Sequence, residues 1–211
     1  SSKPLIPRNL IFDLGGVIID LSVERTIQSI CDLSGVRPDQ VRHAYRTHTE
    51  FYAYERGEIT DAEFRQVLQR IFSFSAPDEQ IDSAWNAMLV QLPVAKLQLL
   101  DRLKKRFSVA VLSNTNNIHL SFVNQSMLPQ VDAFSSLNDY FHVHYYSHLV
   151  GKRKPESQIF TQVLDENNYV PEQTLFLDDN KENIEAAAAL GIQTFLVEHP
   201  DRVLDYFRNY E

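Results

Sequence analysis

The sequence predicts an α/β fold: a parallel β-sheet covered by helices on both faces, interrupted by an all-helical insertion. Three observations carry this expectation. Leu10-Ile11-Phe12, Val109-Ala110-Val111-Leu112 and Leu175-Phe176-Leu177 are apolar on consecutive residues, as strands buried on both faces must be. Each run stops at a polar cluster: Asp13-Leu14-Gly15-Gly16, Ser113-Asn114-Thr115-Asn116 and Asp178-Asp179-Asn180. Between the first run and the second, the chain shows helical periodicity and no convincing strand.

Taken in order, the first strand ends at Phe12, and Gly15-Gly16 let the backbone turn sharply. A parallel crossover needs only a dozen or more residues, so the stretch from residue 20 to residue 92 reads as an inserted helical domain. Within it, Thr60-Asp61-Ala62-Glu63 is a capping box, and Phe64, Val67, Leu68, Ile71 and Phe72 follow the spacing of one helix face. Ile81, Ala84, Trp85, Met88 and Leu89 form a second stripe. Pro93 opens the helix returning to the sheet, with Val94, Leu97, Leu100 and Leu103 expected on its inner face. Lys154-Pro155 precedes a helix carrying Ile159, Phe160, Val163 and Leu164; Lys181 to Leu190 is a further helix, and Ile192 to Val197 a last strand. The expected division is a core of residues 1–19 and 93–211 around a helical insertion at 20–92.

Composition narrows the function. The 211 residues carry 20 Lys+Arg against 28 Asp+Glu, a formal charge of −8, with no basic block. This balance repels polyanions, so nucleic acid is not an expected partner. Cys31 is the single cysteine and forms no internal disulfide, and no apolar stretch is long enough to span a bilayer or to serve as a signal peptide. A cytoplasmic protein, monomeric or homodimeric, that makes no membrane contact is expected. A small phosphate ester needs only a local positive site.

In open α/β sheets ligands bind beyond the carboxyl ends of the strands, so the three polar clusters point to one shared site. Asp13 there is a nucleophile, a metal ligand or both; the plainer alternative is a turn-initiating residue before glycines. Asp178 and Asp179 repel each other unless a hard cation such as Mg2+ relieves them; the plainer alternative is a cap for the Lys181 to Leu190 helix, which Asn180 or Asp179 would supply equally well. Ser113 and Asn114, at a strand end before a helix start, offer an anion cradle or simple capping. Lys154 is suited to holding a phosphate oxygen and the carboxylates in register, whereas Lys152 and Arg153 read as solvated charges. His142-x-His144-x₃-His148 has a superficially metal-like spacing, but Tyr145-Tyr146 and the lack of a nearby acid favour an aromatic packing patch. Trp85 and the other aromatic residues of the insertion read as core.

The ordered set Asp, Ser, Lys, Asp-Asp resembles the haloacid dehalogenase superfamily of Mg2+-dependent phosphatases. Phe12-Asp13-Leu14-Gly15-Gly16-Val17, Val111-Leu112-Ser113-Asn114, Lys154-Pro155 and Phe176-Leu177-Asp178-Asp179-Asn180 resemble its four motifs, over residues 8 to 197. Tyr54-Glu55-Arg56-Gly57-Glu58-Ile59-Thr60 and Leu112-Ser113-Asn114-Thr115-Asn116 are similar to the bacterial glucose-1-phosphate phosphatases and the phosphatase domain of soluble epoxide hydrolases. The resemblance implies a Rossmann-like three-layer core with a helical cap inserted after the first motif. It also implies hydrolysis of a small phosphorylated metabolite, such as the sugar phosphate glucose 1-phosphate, through an aspartyl-phosphate on Asp13. Mg2+ would be held by Asp13, the Gly15 carbonyl and Asp179, with Asp178 acting through water or from behind. Ser113, the Asn114 backbone and Lys154 would bind the phosphoryl oxygens. The turn Arg56-Gly57-Glu58 is expected over the pocket, where Arg56 or Glu55 meets sugar hydroxyls unless they are plain surface charges.

The chain departs from the family pattern at two places. Gly15 stands where the family usually has a second aspartate for general acid/base work, a contribution typically worth ~10² to 10⁴ in rate. Asn183 stands where many members have a further acid. Three rivals follow: a receiver-type switch, disfavoured by motif order; a hydrolytic dehalogenase, disfavoured by Asp178-Asp179; and a catalytically weak phosphate-ester-binding protein, which Gly15 leaves open.

Overall fold

The computed structural model describes residues 6–133 and 135–210. Its main sheet has five parallel strands: β1 (Asn9–Phe12), β4 (Ser108–Ser113), β5 (Val143–Tyr146), β6 (Thr174–Asp178) and β7 (Gln193–Leu196), in the spatial order β5-β4-β1-β6-β7. β1 is central, with Phe12 level with Val111 on one side and Leu177 on the other.

The period of two along each strand divides the core. Leu10, Phe12, Val109, Val111, Leu175 and Leu177 face one side, against Leu97, Leu99, Leu100 and Leu103 of α6 (Val94–Lys104) and Val203 and Phe207 of α11 (Arg202–Phe207). Ile11, Ala110, Leu112 and Phe176 face the other, against Ile159, Phe160, Val163 and Leu164 of α9 (Ser157–Asn167) and Ala187 of α10 (Lys181–Ala188). The result is a three-layer Rossmann-like sandwich. Pro93 sits just before α6, as expected, but Val94 is exposed. Lys96 is buried instead, its Nζ donating to the Val17 carbonyl at 2.5 Å. A long aliphatic stem lets a lysine occupy an apolar position when its head finds a carbonyl.

Between β1 and α6 lie α1 (Val23–Ser34), α2 (Pro38–Thr47), α3 (Glu50–Glu55), α4 (Asp61–Ile71) and α5 (Asp78–Asn86). They enclose their own apolar cluster, which includes Ile27, Ile30, Phe51, Phe64, Leu68, Ile81 and Trp85. The Thr60 capping box opens α4, with Thr60 Oγ1 accepting from the Glu63 N–H at 3.1 Å. Entry and exit are joined by a short antiparallel ribbon, β2 (Asp20–Leu21) with β3 (Leu89–Gln91), which apolar patterning did not announce because each strand is so short. The inserted helices rest on the sheet's carboxyl end. Trp85 of α5 stacks flat on His119 of α7 (Asn117–Phe122), their rings 4.7 Å apart. At Gly57 a β-carbon would lie 2.1 Å from the carbonyl oxygen of His148 in α8 (Ser147–Val150), so only glycine permits that approach.

Candidate active site

Because β1, β4 and β6 are neighbours in register, their ends bring Asp13, Ser113 and Asp178 together. The Asp13 N–H donates to the Leu177 carbonyl at 2.9 Å, and Asp13 Oδ1 accepts from the Leu14 N–H at 2.8 Å. Gly16, at φ +82°, lets the loop pass under Asp179: a β-carbon there would lie 2.2 Å from Asp179 Oδ2. Asp13, Asp178 and Asp179 present carboxylate oxygens within 4.8 Å of one another.

Lys154 is the hub. Its side chain is 1% exposed, and its Nζ donates to Asp13 Oδ1 (2.9 Å), Asp178 Oδ2 (2.7 Å) and the Leu112 carbonyl (2.9 Å). Burial works against the ammonium, but Asp13 and Asp178 outweigh it and hold its pKa above the ordinary lysine value. The loop is clamped in turn: Asn114 Nδ2 donates to the Lys154 carbonyl at 2.9 Å, and the Lys154 N–H returns to Asn114 Oδ1 at 2.8 Å. Asp178 is fully buried, and both its oxygens are engaged, Oδ1 by the Asn180 N–H and Oδ2 by Lys154 and by Asn183 Nδ2 at 3.2 Å. One ammonium among three carboxylates leaves an excess of negative charge. Burial, with Asp178 and Asp179 alongside, accordingly pushes Asp13 well above the usual carboxylate range despite Lys154. Hard oxygen donors carrying surplus negative charge are the donor set that Mg2+ takes.

Above these groups lies a cavity of about 340 Å³. Its floor is Asp13, Gly15, Ser113, Asn114, Lys154 and Asp179; its roof comes from the inserted segment through Tyr45, Tyr52, Glu55 and Trp85 of its helices and Met88 of the turn after them.

The structure therefore gathers Asp13, Gly15, Ser113, Asn114, Lys154 and Asp179 around one space, with Asp178 directly behind. Arg56 departs from expectation. Its guanidinium does not line the cavity, because it is held at 2.7 Å by Glu156, which does not line it either. Arg153, read as a solvated charge, lines the cavity and pairs with Glu55 at 2.6 Å. No local pattern signals this, because the direction of Arg153 is set by Glu55 from a segment 98 residues away. Asn116, not an acid, caps α7 by accepting from His119 N–H, and Asn180 caps α10. Asn183, standing where many members have a further acid, donates its Nδ2 to Asp178 Oδ2. His142 Nδ1 accepts from the Val109 N–H and the His144 ring stacks on Tyr146, so these histidines serve packing.

Residues 7–191 match the haloacid dehalogenase-like hydrolase family. The chain belongs to that family. Among relatives of this haloacid dehalogenase-like hydrolase is D-ribitol-5-phosphate phosphatase of Bacteroides thetaiotaomicron, 30% identical over 193 residues, spanning 91% of this chain and 92% of the relative. A family enzyme of the same bacterium, solved with magnesium and inorganic phosphate, is 36% identical with a TM-score of 0.82, covering 90% of this chain and 93% of its own. A predicted haloacid dehalogenase-like hydrolase of Porphyromonas gingivalis is 28% identical, again with a TM-score of 0.82, at 91% of each chain. The enzyme's five-stranded core is thus that of its solved relatives, and no helix among the described residues is long and apolar enough to cross a membrane.

Proposed function

We propose that this hydrolase removes phosphate from a small sugar or sugar-alcohol phosphate, using Asp13 as nucleophile and Mg2+ as cofactor. The observation that carries the reading is the buried Lys154 ammonium bridging Asp13 and Asp178 beside Asp179, at the floor of a cavity of ligand size. Asp13, the Gly15 carbonyl and Asp179 hold the metal. When bound, Mg2+ supplies the positive charge that lets a phosphate dianion approach a carboxylate.

Asp13 Oδ attacks phosphorus in line. The bond to the leaving oxygen breaks, that oxygen takes a proton from water, and an aspartyl-phosphate remains. Water then attacks the phosphorus and releases inorganic phosphate, returning Asp13. Lys154, the Ser113 hydroxyl and the Asn114 N–H bind the phosphoryl oxygens, while Asp178 fixes the Lys154 head. Residues 20 to 92 serve as a cap that walls the leaving group from solvent. The relative named for ribitol 5-phosphate supports a polyhydroxylated leaving group. A metal-free dehalogenase has no use for this carboxylate set.

The test is phosphate release from a panel including ribitol 5-phosphate and glucose 1-phosphate, with Mg2+ and with EDTA, for the native enzyme and Asp13→Asn. Release is expected to need both Mg2+ and Asp13, the variant losing at least about 10³-fold. A folded, Mg2+-binding protein that releases phosphate from no ester refutes the reading.

A further inference from the structure

Two adjacent residues at the end of α3 meet the loop that carries Lys154, and they do so with opposite charges. Glu55 accepts from Arg153 Nε at 2.6 Å, and Arg56 donates to Glu156 Oε2 at 2.7 Å. The two pairs form one clasp between the inserted helices and the core, but they face different ways: Glu55 and Arg153 line the cavity, Arg56 and Glu156 do not. The inner pair is well shielded, at 18% and 20% side-chain exposure, and the guanidinium lies 4.4 Å over the Tyr52 ring, which fixes its plane. The terminal amino groups of Arg153 and Glu55 Oε1 make no hydrogen bond to another described residue. The cavity thus presents, where the inserted helices meet the loop of Lys154, several donors and one acceptor on a pair whose charges cancel.

Such a pair suits hydroxyl groups, each of which accepts from the guanidinium and donates to the carboxylate. It does not suit an anion. A carboxylate or second phosphate on the leaving group would take Arg153 from Glu55, leaving Glu55 shielded without its partner and facing the new charge, an arrangement that is costly. We propose that Glu55 and Arg153 determine specificity, admitting a neutral polyhydroxylated leaving group and turning away esters whose leaving group carries a second anionic group. The proposal rests on the phosphatase reading above.

The test compares kcat/KM for ribitol 5-phosphate, 3-phosphoglycerate and p-nitrophenyl phosphate. The last has neither hydroxyls nor a second anion on its leaving group. Glu55→Gln frees the Arg153 charge, and the preference for ribitol phosphate over phosphoglycerate is expected to fall by about tenfold or more, with p-nitrophenyl phosphate changed by less than about threefold. Arg153→Gln lowers ribitol phosphate turnover without raising that of phosphoglycerate. Arg56→Gln loosens the same clasp outside the cavity and moves all three esters by a common factor. If Glu55→Gln does the same as Arg56→Gln, or leaves the preference unchanged, the pair only holds the clasp and the proposal is overturned. Inhibition of native p-nitrophenyl phosphate turnover tests the idea without any variant: ribitol phosphate is expected to compete at about tenfold lower concentration than phosphoglycerate, and the reverse order overturns it. A native enzyme that hydrolyses none of the three esters sinks the phosphatase reading first, and this proposal with it.

Discussion

His119 makes the seam between α5 and the core sensitive to acid. Burial holds its imidazole neutral, its pKa pushed down from 6.5 to about 3. Its ring lies flat on Trp85, and its Nδ1 is 2.8 Å from Asn86 Oδ1. An unfolded chain protonates that histidine near pH 6.5, whereas the folded one does not until near pH 3. The unfolded state therefore binds more protons in this window, and stability is lost as pH falls through it, with no contribution above it. At about 1.4 kcal/mol per fully separated pH unit, lowering the pH from 7 to 5 costs about 2 kcal/mol through this one group. The assay is urea unfolding at both pH values, followed by the fluorescence of Trp85, the single tryptophan. Carboxylates also titrate, so the comparison is with His119→Gln, which has no such proton. The loss of stability between pH 7 and pH 5 is expected to be about 2 kcal/mol smaller in the variant, whatever its stability at pH 7. Equal losses in the two proteins would refute the reasoning.

The glycines after Asp13 should separate in effect. Gly16→Ala places a β-carbon 2.2 Å from Asp179 Oδ2 at positive φ and is expected to weaken Mg2+-dependent turnover by about 10- to 100-fold, whereas at Gly15 the added carbon meets only Leu21 at 3.4 Å and the loss is smaller. Comparable metal titrations of the two variants would contradict the geometry. Lys154→Met removes the cation between Asp13 and Asp178 and should cost about 3–5 kcal/mol of stability at pH 7, measured in EDTA, with part of it recovered on adding Mg2+. A variant as stable as the native protein in EDTA would show that Lys154 is not the counter-charge.

Much of this molecule was legible before folding was considered. Three runs of consecutive apolar residues announced the buried parallel strands, since only a doubly covered strand can be apolar on both faces. Their polar ends announced the site, because neighbouring parallel strands deliver their carboxyl ends to one edge. The Thr60 box and the Phe64 stripe announced α4. Edge strand β5 was harder to read, since Val143-His144-Tyr145-Tyr146 has only its last two residues buried. Lys96 was hidden too: nothing local says that a lysine will find a carbonyl inside a core.

The roof of the cavity was the part that local pattern did not reach. Glu55 and Arg56 are adjacent and only Glu55 lines the cavity, whereas Arg153 and its neighbour Lys154 both do, and no periodicity tells which of these residues faces a ligand. That depended on partners 98 and 100 residues apart, Glu55 with Arg153 and Arg56 with Glu156. Sequence by itself determined the central strands of the sheet, the helical character of the insertion and the identity of the groups at the strand ends, because backbone hydrogen bonding and burial impose short periods that a chain must display. Only the tertiary structure decided that Arg153 turns inward and Arg56 outward, because that choice is made by the docking of one packed body on another and leaves no repeating mark along the chain.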